Sequence, residues 1–187
     1  MNELLKRLME GNDRFSQGRA LRADIGVTRR AQISERQQPF AMILGCSDSR
    51  VPPEVVFDCG LGDLFVIRTA GHTMDDAAIE SMLFGIKALG IPLVLVLGHS
   101  HCGAVSVAIQ NRRVLGNDES APFITKQIAP AIDHCPSEED LLNNVVKAHV
   151  KMTVARIEHL LLPVSQEVKV VGAYYDLKTG IVEVTQP

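Results

Sequence analysis

The chain has 187 residues, of which 46% are apolar and 22% are charged, and its formal net charge is −3. This length and composition are typical of one soluble globular domain spanning residues 1–187. The small negative charge gives no indication of a nucleic-acid or membrane-surface partner. Charges interrupt the N-terminal segment, which therefore resembles no signal peptide, and no apolar run is long enough to span a bilayer. We expect a cytoplasmic protein.

The chain begins with a segment that is expected to be helical and polar. Apolar residues recur with a helical period over Leu4–Phe15, and a second, short helix is expected around Thr28–Arg36. Together they predict an N-terminal helical arm over residues 1–38. Strands and helices then alternate, with strands at Phe40–Gly45, Leu64–Arg68 and Leu93–Gly98, and helices at Asp75–Leu89 and Gly103–Gln110.

The remainder of the chain continues this alternation. A loop over Leu115–Pro122 precedes a helix that ends near Asp133, and Pro136 with a capping Ser137 indicates the start of a longer helix that ends near Leu161. Two further strands follow, at Val168–Tyr175 and Ile181–Val184. The pattern predicts an α/β fold with a mainly parallel central sheet, about four parallel strands plus a C-terminal antiparallel strand, flanked by helices.

Two of the predicted strands end in glycine followed by a residue that can bind a metal. The stretch AMILGC ends at Cys46, and LVLVLGH ends at His99. Because neighbouring strands lie about 5 Å apart and parallel strands end at one edge of a sheet, both side chains can reach one ion. Cys102 follows His99 in an H-x-x-C spacing, where the next helix begins. Three ligands of this kind leave one position open on a tetrahedral zinc ion, as in catalytic sites.

Asp48 and Arg50 follow the first candidate ligand directly. A two-residue spacing in extended chain places both side chains on one side, where a bidentate ion pair can form. The paired carboxylate could accept a hydrogen bond from metal-bound hydroxide. It could also take the fourth metal position and close the site, or simply be a structural pair that closes the loop.

The segments CSDSRV and GHSHCGAV, with GDLFVIRTAGH between them, resemble the signatures of the β-class carbonic anhydrases. The resemblance implies that Cys46, His99 and Cys102 are zinc ligands and that Asp48 and Arg50 form a catalytic dyad. It also implies a substrate pocket, built partly by a partner subunit, with lining residues at Gln37, Phe65, Ala70 and Phe84. A homodimer or dimer of dimers is expected, with the N-terminal arm packed on the partner.

The activity implied by this resemblance is the reversible hydration of carbon dioxide to bicarbonate and a proton by zinc-bound hydroxide. Gln37 and the backbone amide of Gly103 are candidate hydrogen-bond donors to the substrate. Two thiolate ligands weaken zinc as a Lewis acid, so activity is expected to rise with pH through and above neutrality. Three alternatives remain open: hydrolysis of carbonyl sulfide or carbon disulfide at the same site, a zinc-stabilised binding protein without activity, and a thiol redox protein.

Four other side chains have less specific interpretations. His101, between two of the ligands, is interpreted as a loop residue or a proton relay. Among the remaining histidines, His72 is the most plausible proton shuttle. Cys59 and Cys135 are interpreted as structural thiols.

Overall fold

The computed structural model describes residues 3–21, 24–116, 118–135, 137–164 and 167–186. A five-stranded sheet has helices on both faces, which confirms the predicted α/β class. None of the helices in these ranges combines the length and the apolar character needed to cross a membrane. The strands are β1 Ala41–Cys46, β2 Leu64–Thr69, β3 Leu93–His99, β4 Lys169–Tyr175 and β5 Val182–Gln186. The α-helices are α1 Glu3–Ser16, α2 Val27–Ile33, α3 Pro53–Val56, α4 Asp76–Leu89, α5 Gly103–Leu115, α6 Phe123–Asp133 and α7 Leu141–Leu161, and Ala70–His72 form a 3₁₀ turn.

The strand order creates the edge at which the candidate ligands meet. The order is β2-β1-β3-β4-β5, and the first four strands run parallel while β5 pairs antiparallel with β4. The chain passes from β1 outward to β2 and then returns to β3 on the other side of β1, so the connections diverge between β1 and β3. Such a switch point opens a crevice at the carboxyl ends of the two strands. Gly45 lies opposite Leu97 across this pair, which brings the ends of both strands together.

Alternate residues of the central strands fill two separate apolar layers. On one face, Ile43 and Leu95 pack with Leu5 and Leu8 of α1. On the other face, strand residues such as Val96 pack against α4 and α7. Because strands β1 and β3 are buried on both faces, their sequences are continuous apolar runs. A third cluster, between α5, α6 and α7, includes Cys46 and Cys102 and lies directly at the strand ends.

The start of the long helix α7 differs from the sequence-based expectation. The helix begins at Leu141, and Asp140 precedes it in a left-handed conformation without capping it by its side chain. Ser137 is therefore not the cap: its hydroxyl accepts a hydrogen bond from the Glu139 amide in a turn before the helix, at 3.2 Å. The prediction was wrong because a serine can satisfy an amide in a local turn as readily as in a helix. Pro136 lies outside the described residues.

The N-terminal arm divides into two parts with different environments. Helix α1 packs on its own chain, where the buried amide of Asn12 donates to Val56 O and Gly180 O at 3.1 and 2.9 Å. Helix α2 contributes no buried residue. Leu21, Ile25 and Val27, which flank or begin α2, are exposed. Packing of the arm on a partner subunit stays a prediction. The exposed apolar side chains of α2 and its flanking residues are those that could contact a partner.

Candidate metal centre

Three potential ligands converge at the switch point between β1 and β3. Cys46 is the last residue of β1, His99 is the last residue of β3, and Cys102 immediately precedes α5. Their ligand atoms all lie within 4.8 Å of one another, and all three residues are buried. The two sulfur atoms are 3.9 Å apart. The predicted convergence of these side chains is therefore observed.

The geometry of this group fits a zinc ion. Zinc–sulfur bonds of about 2.3 Å at a tetrahedral angle place two sulfurs about 3.8 Å apart, close to the observed separation. Nε2 of His99 is buried and has no hydrogen-bond partner among the described residues, although an orphaned polar atom in such a place is costly. The other ring nitrogen, Nδ1, lies 2.9 Å from Ser100 O, so a proton on Nδ1 leaves the Nε2 lone pair available for a metal.

The pKa values of the two thiols shift in opposite directions because the two sulfur atoms are in contact. The Cys102 thiol, with smaller contributions from His99 and the Gly71 amide, lowers the pKa of Cys46, although burial opposes the shift. The neighbouring Cys46 sulfur, together with burial, raises the pKa of Cys102, and the amides of Val105 and Ala104 oppose this. The first turn of α5 therefore contributes amides that favour a thiolate at Cys102.

Asp48 and Arg50 form the bidentate pair that their spacing predicted, although the backbone that brings them together is a turn and not an extended strand. Arg50 Nε donates to Asp48 Oδ1 at 2.9 Å and Arg50 Nη2 to Asp48 Oδ2 at 2.7 Å. The Arg50 amide also donates to Oδ1, at 3.0 Å, and Val51 N donates to Asp48 O. These hydrogen bonds from Arg50 hold the pKa of Asp48 well below its usual range. The ionised carboxylate lies beside the ligands, with Oδ2 4.0 Å from His99 Nε2.

The predicted pocket residues lie in two separate places. Ala70 and Gly103 are at the same sheet edge as the ligands, where the 3₁₀ turn and α5 begin. Gln37 precedes β1 and lines a cavity of about 620 Å³ with neighbouring residues of its loop and the end of α4. Phe65 is near the start of β2 and has its ring centroid 6.4 Å from that of Phe84, which is 51% exposed. Strand β1 alone spans about 17 Å, so Gln37 is remote from its own chain's ligands.

Three residues to which no role was assigned from the sequence contact the ligands or the backbone around them. Arg68 donates from Nε to Cys46 O at 2.9 Å and from Nη2 to Asp48 O at 2.6 Å. The Gly71 amide donates to Cys46 Sγ at 3.3 Å. Asn143 Oδ1 accepts from the His101 amide at 3.3 Å. The position of Arg68 near the end of β2 could have indicated this role, since the end of β2 lies beside the end of β1. Asn143 lies in α7, far along the chain, and we find no sequence pattern that indicates its contact.

The histidines near the site differ in accessibility. His101 is an exposed loop residue, and a role as proton relay stays a prediction. His72 is buried and stacks on the buried His149, with ring centroids 4.5 Å apart. Burial, followed by the charges of His149 and His99, lowers the pKa of His72 well below its usual value. A buried imidazole that resists protonation is poorly suited to the shuttle role for which sequence favoured His72.

Acidification is expected to weaken the fold through His149. Burial lowers the pKa of His149 from 6.5 to about 4, opposed by a hydrogen bond with the Gly71 backbone and assisted by the Arg156 charge. The unfolded imidazole takes up its proton at higher pH than the folded one, so the stabilisation is complete above pH 6.5 and is lost as the pH falls toward 4. A shift of this size corresponds to roughly 3 kcal/mol.

Urea unfolding at about pH 7 and about pH 4.5 measures this loss. The variant His149→Gln has no ionisable group at this position and should lose less unfolding free energy on acidification than the parent chain. The exposed His159 provides a control, because His159→Gln should follow the parent. Equal acid sensitivity of the parent and His149→Gln would contradict the prediction.

The fold and the candidate centre together define an α/β protein with a Cys-His-Cys group at a switch point. The family model for carbonic anhydrase matches residues 41–182. Carbonic anhydrase 2 of Mycobacterium tuberculosis (strain H37Rv) is 37% identical, with coverage of 94% of this chain and 88% of its own length. The carbonic anhydrase of Mycolicibacterium smegmatis is 35% identical, with coverage of 95% and 90%. The chain belongs to the β-class carbonic anhydrase family, and is by that membership an enzyme.

Solved structures of the same class share the fold. A Coccomyxa β-carbonic anhydrase in complex with acetazolamide has a TM-score of 0.72 and 23% identity, covering 96% of this chain and 85% of its own. The β-carbonic anhydrase CcaA has a TM-score of 0.70 and 24% identity, covering 98% and 99%. Tetrameric β-carbonic anhydrases of Sordaria macrospora have a TM-score of 0.67 and 17% identity, covering 98% and 97%. At these identities the likeness concerns the fold.

Proposed function

We propose that the protein catalyses the reversible hydration of carbon dioxide to bicarbonate and a proton, with zinc held by Cys46, His99 and Cys102. The observation that carries this proposal is the buried group of two sulfurs and an unpartnered imidazole nitrogen beside an ionised Asp48. The names of the mycobacterial relatives support the same reaction. Zinc, when bound, would acidify a water molecule and so supply the nucleophile that carbon dioxide needs.

The chain's own groups give the reaction its orientation. Arg50 engages both oxygens of Asp48, which keeps the carboxylate ionised and restricts its rotation. An ionised carboxylate only accepts hydrogen bonds, so Asp48 would accept a hydrogen bond from the attacking oxygen and direct a lone pair of that oxygen toward carbon. Because Arg50 binds both oxygens of Asp48, we expect Asp48 to remain paired with Arg50 and not to occupy the fourth metal position. Ala70 and the Gly103 amide, at the same edge, would border the substrate.

The first test is the rate of carbon dioxide hydration, measured by stopped flow from about pH 6.5 to about pH 9 on protein with assayed zinc content. We expect a rate far above that of buffer, proportional to zinc and rising with pH, because two thiolate ligands weaken the metal as a Lewis acid. Full zinc occupancy with no rate at any pH would overturn the proposal. It would direct attention to carbonyl sulfide and carbon disulfide, and then to a binding role.

We further propose that the working unit is a homodimer, or a dimer of dimers, whose substrate pocket is shared between subunits. Gln37 precedes β1, and Phe65 pairs with Met42 near the start of that strand, with Phe84 beside it. Cys46 ends the same strand, so a partner's site is where these three side chains could line a pocket. The exposed side chains of Ile25, Val27 and Phe84 supply apolar surface for such contacts. The relatives from Sordaria macrospora that share the fold are described as tetrameric.

Mixing two impaired variants tests the shared pocket. A Cys46→Ser chain lacks a ligand, and a Gln37→Ala chain lacks the amide. In a mixed dimer with pockets shared across subunits, one site combines an intact Cys46 with an intact Gln37. Activity is then expected to rise above the mean of the two variants after subunit exchange, whereas unmixed variants stay low. A mixture with only the mean activity, despite demonstrated exchange, would contradict sharing of Gln37.

A further inference from the structure

The two-residue turn between His99 and Cys102 has a backbone conformation that an ordinary side chain avoids. His101 has φ of 53°, in the left-handed region, where a residue with a β-carbon is disfavoured. The turn leads directly from one candidate ligand to the next. Since relaxation of His101 toward a common conformation would displace both ligands, contacts that hold the turn also hold the geometry of the metal centre.

Hydrogen bonds fix this turn from several sides. The Ser100 amide donates to Tyr175 O, and Ser100 Oγ accepts from the Leu177 amide, each at 2.9 Å. These contacts hold the first residue of the turn. At the strained residue itself, Arg50 Nη2 donates to His101 O at 3.4 Å, and the His101 amide donates to Asn143 Oδ1 at 3.3 Å. The guanidinium that holds Asp48 and the side chain of Asn143 thus engage the two backbone groups of one residue.

Asn143 is itself held in a fixed orientation. Its Nδ2 donates to Asp140 Oδ1 at 2.7 Å, which leaves Oδ1 directed to the His101 amide. The helix that carries it is in close contact with the ligand strand. A β-carbon on Gly98 would lie 2.6 Å from Val150 Cγ2 and 2.8 Å from Val146 Cγ1, so α7 packs directly on the backbone before His99. Asn143, Val146 and Val150 recur at helical spacing on one face.

We propose that Asn143 is a positioning residue for the metal centre. It holds the His101 amide, stabilises the left-handed turn and so keeps His99 and Cys102 at the separation that a zinc ion requires. Through the shared residue His101 it also supports the Arg50 side chain that orients Asp48. The inference rests on the proposed zinc site and assigns a residue of α7 to its support.

Zinc affinity measured by competition with a chromophoric chelator is the first test, on the full chain. Loss of an outer-shell partner typically weakens metal binding by about 10- to 100-fold, so Asn143→Ala is expected to weaken zinc binding by at least about tenfold. The double variant Asp140→Asn with Asn143→Asp exchanges donor and acceptor between the two side chains, keeps an acceptor for the His101 amide and should stay within about threefold of the parent. Asn144→Ala is the matched control, because Asn144 bonds Glu139 O at 3.0 Å and has no such contact with the turn.

Visible absorption of the cobalt-substituted chain is the second test, since its bands report the geometry of the ligands. We expect altered bands in Asn143→Ala and parent-like bands in Asn144→Ala and in the double variant Asp140→Asn with Asn143→Asp. Equal zinc affinity and equal spectra for the two alanine variants would overturn the inference while leaving the proposed function intact. A parent chain that takes up no zinc would overturn both together.

Discussion

Replacing Cys46 with serine is expected to abolish zinc retention and carbon dioxide hydration together. A serine hydroxyl stays protonated near neutral pH and is a poor zinc ligand, so the site would keep one nitrogen and one sulfur. The Gly71 amide would also lose the sulfur to which it now donates at 3.3 Å. We expect zinc affinity to fall by at least about 100-fold and the hydration rate to fall to that of buffer. Zinc per chain and stopped-flow rates measure the two effects.

Cys59→Ser is the matched control for this substitution. Cys59 is also a buried cysteine, but burial raises its pKa to about 12, and its thiol donates to Phe57 O at 3.4 Å. A protonated thiol of this kind is a structural group, and a serine hydroxyl can make the same hydrogen bond. This variant should retain zinc and activity. A Cys46→Ser chain that keeps stoichiometric zinc at the parent's affinity would refute the proposed ligand set.

Replacing Asp48 with asparagine is expected to lower kcat/KM by about 100-fold without changing the zinc content. Asparagine preserves the size of the side chain but removes the charge, and its amide nitrogen would face the guanidinium of Arg50, where two donors oppose each other. The oriented acceptor beside the ligands is thereby lost. Stopped-flow rates on zinc-assayed protein measure the effect.

The variant Asp58→Asn is the control that shows whether the loss of any Asp–Arg pair is enough to lower the hydration rate. Asp58, just after α3, pairs with Arg14 of α1 at 2.6 Å and is not a member of the Cys-His-Cys group. Its substitution is expected to reduce stability and to leave the rate per zinc unchanged. Parent-like activity in Asp48→Asn would favour the structural interpretation of the Asp48–Arg50 pair. A rise in activity would instead indicate that Asp48 closes the site in the parent chain.

The local sequence was sufficient for the five strands and for the first two candidate ligands, because each of these ligands directly follows the apolar run that identifies its strand. Cys46 and His99 end strands that are apolar throughout, and such strands are parallel and buried on both faces. Parallel strands end at one edge, so the sequence placed both residues at one edge of the sheet, whereas their proximity required β1 and β3 to be neighbours, as the observed strand order shows. Cys102 followed because only a short turn separates it from His99.

The start of α7 shows where local patterns fail even within one element. Pro136 and Ser137 have the composition of a helix start, yet the helix begins at Leu141. Serine side chains satisfy amides equally well in turns and at helix ends, so composition alone could not separate the two outcomes.

The α/β class, the pairing of Asp48 with Arg50 and the position of Cys46 and His99 at strand ends all followed from the sequence, because each depends on residues close in the chain. The contacts that bring β1 beside β3, stack His72 on His149 and place Asn143 at the His101 amide appeared only in the folded chain. Those contacts join segments far apart in sequence. They depend on strand order and on how α7 packs under β3, which no local periodicity encodes.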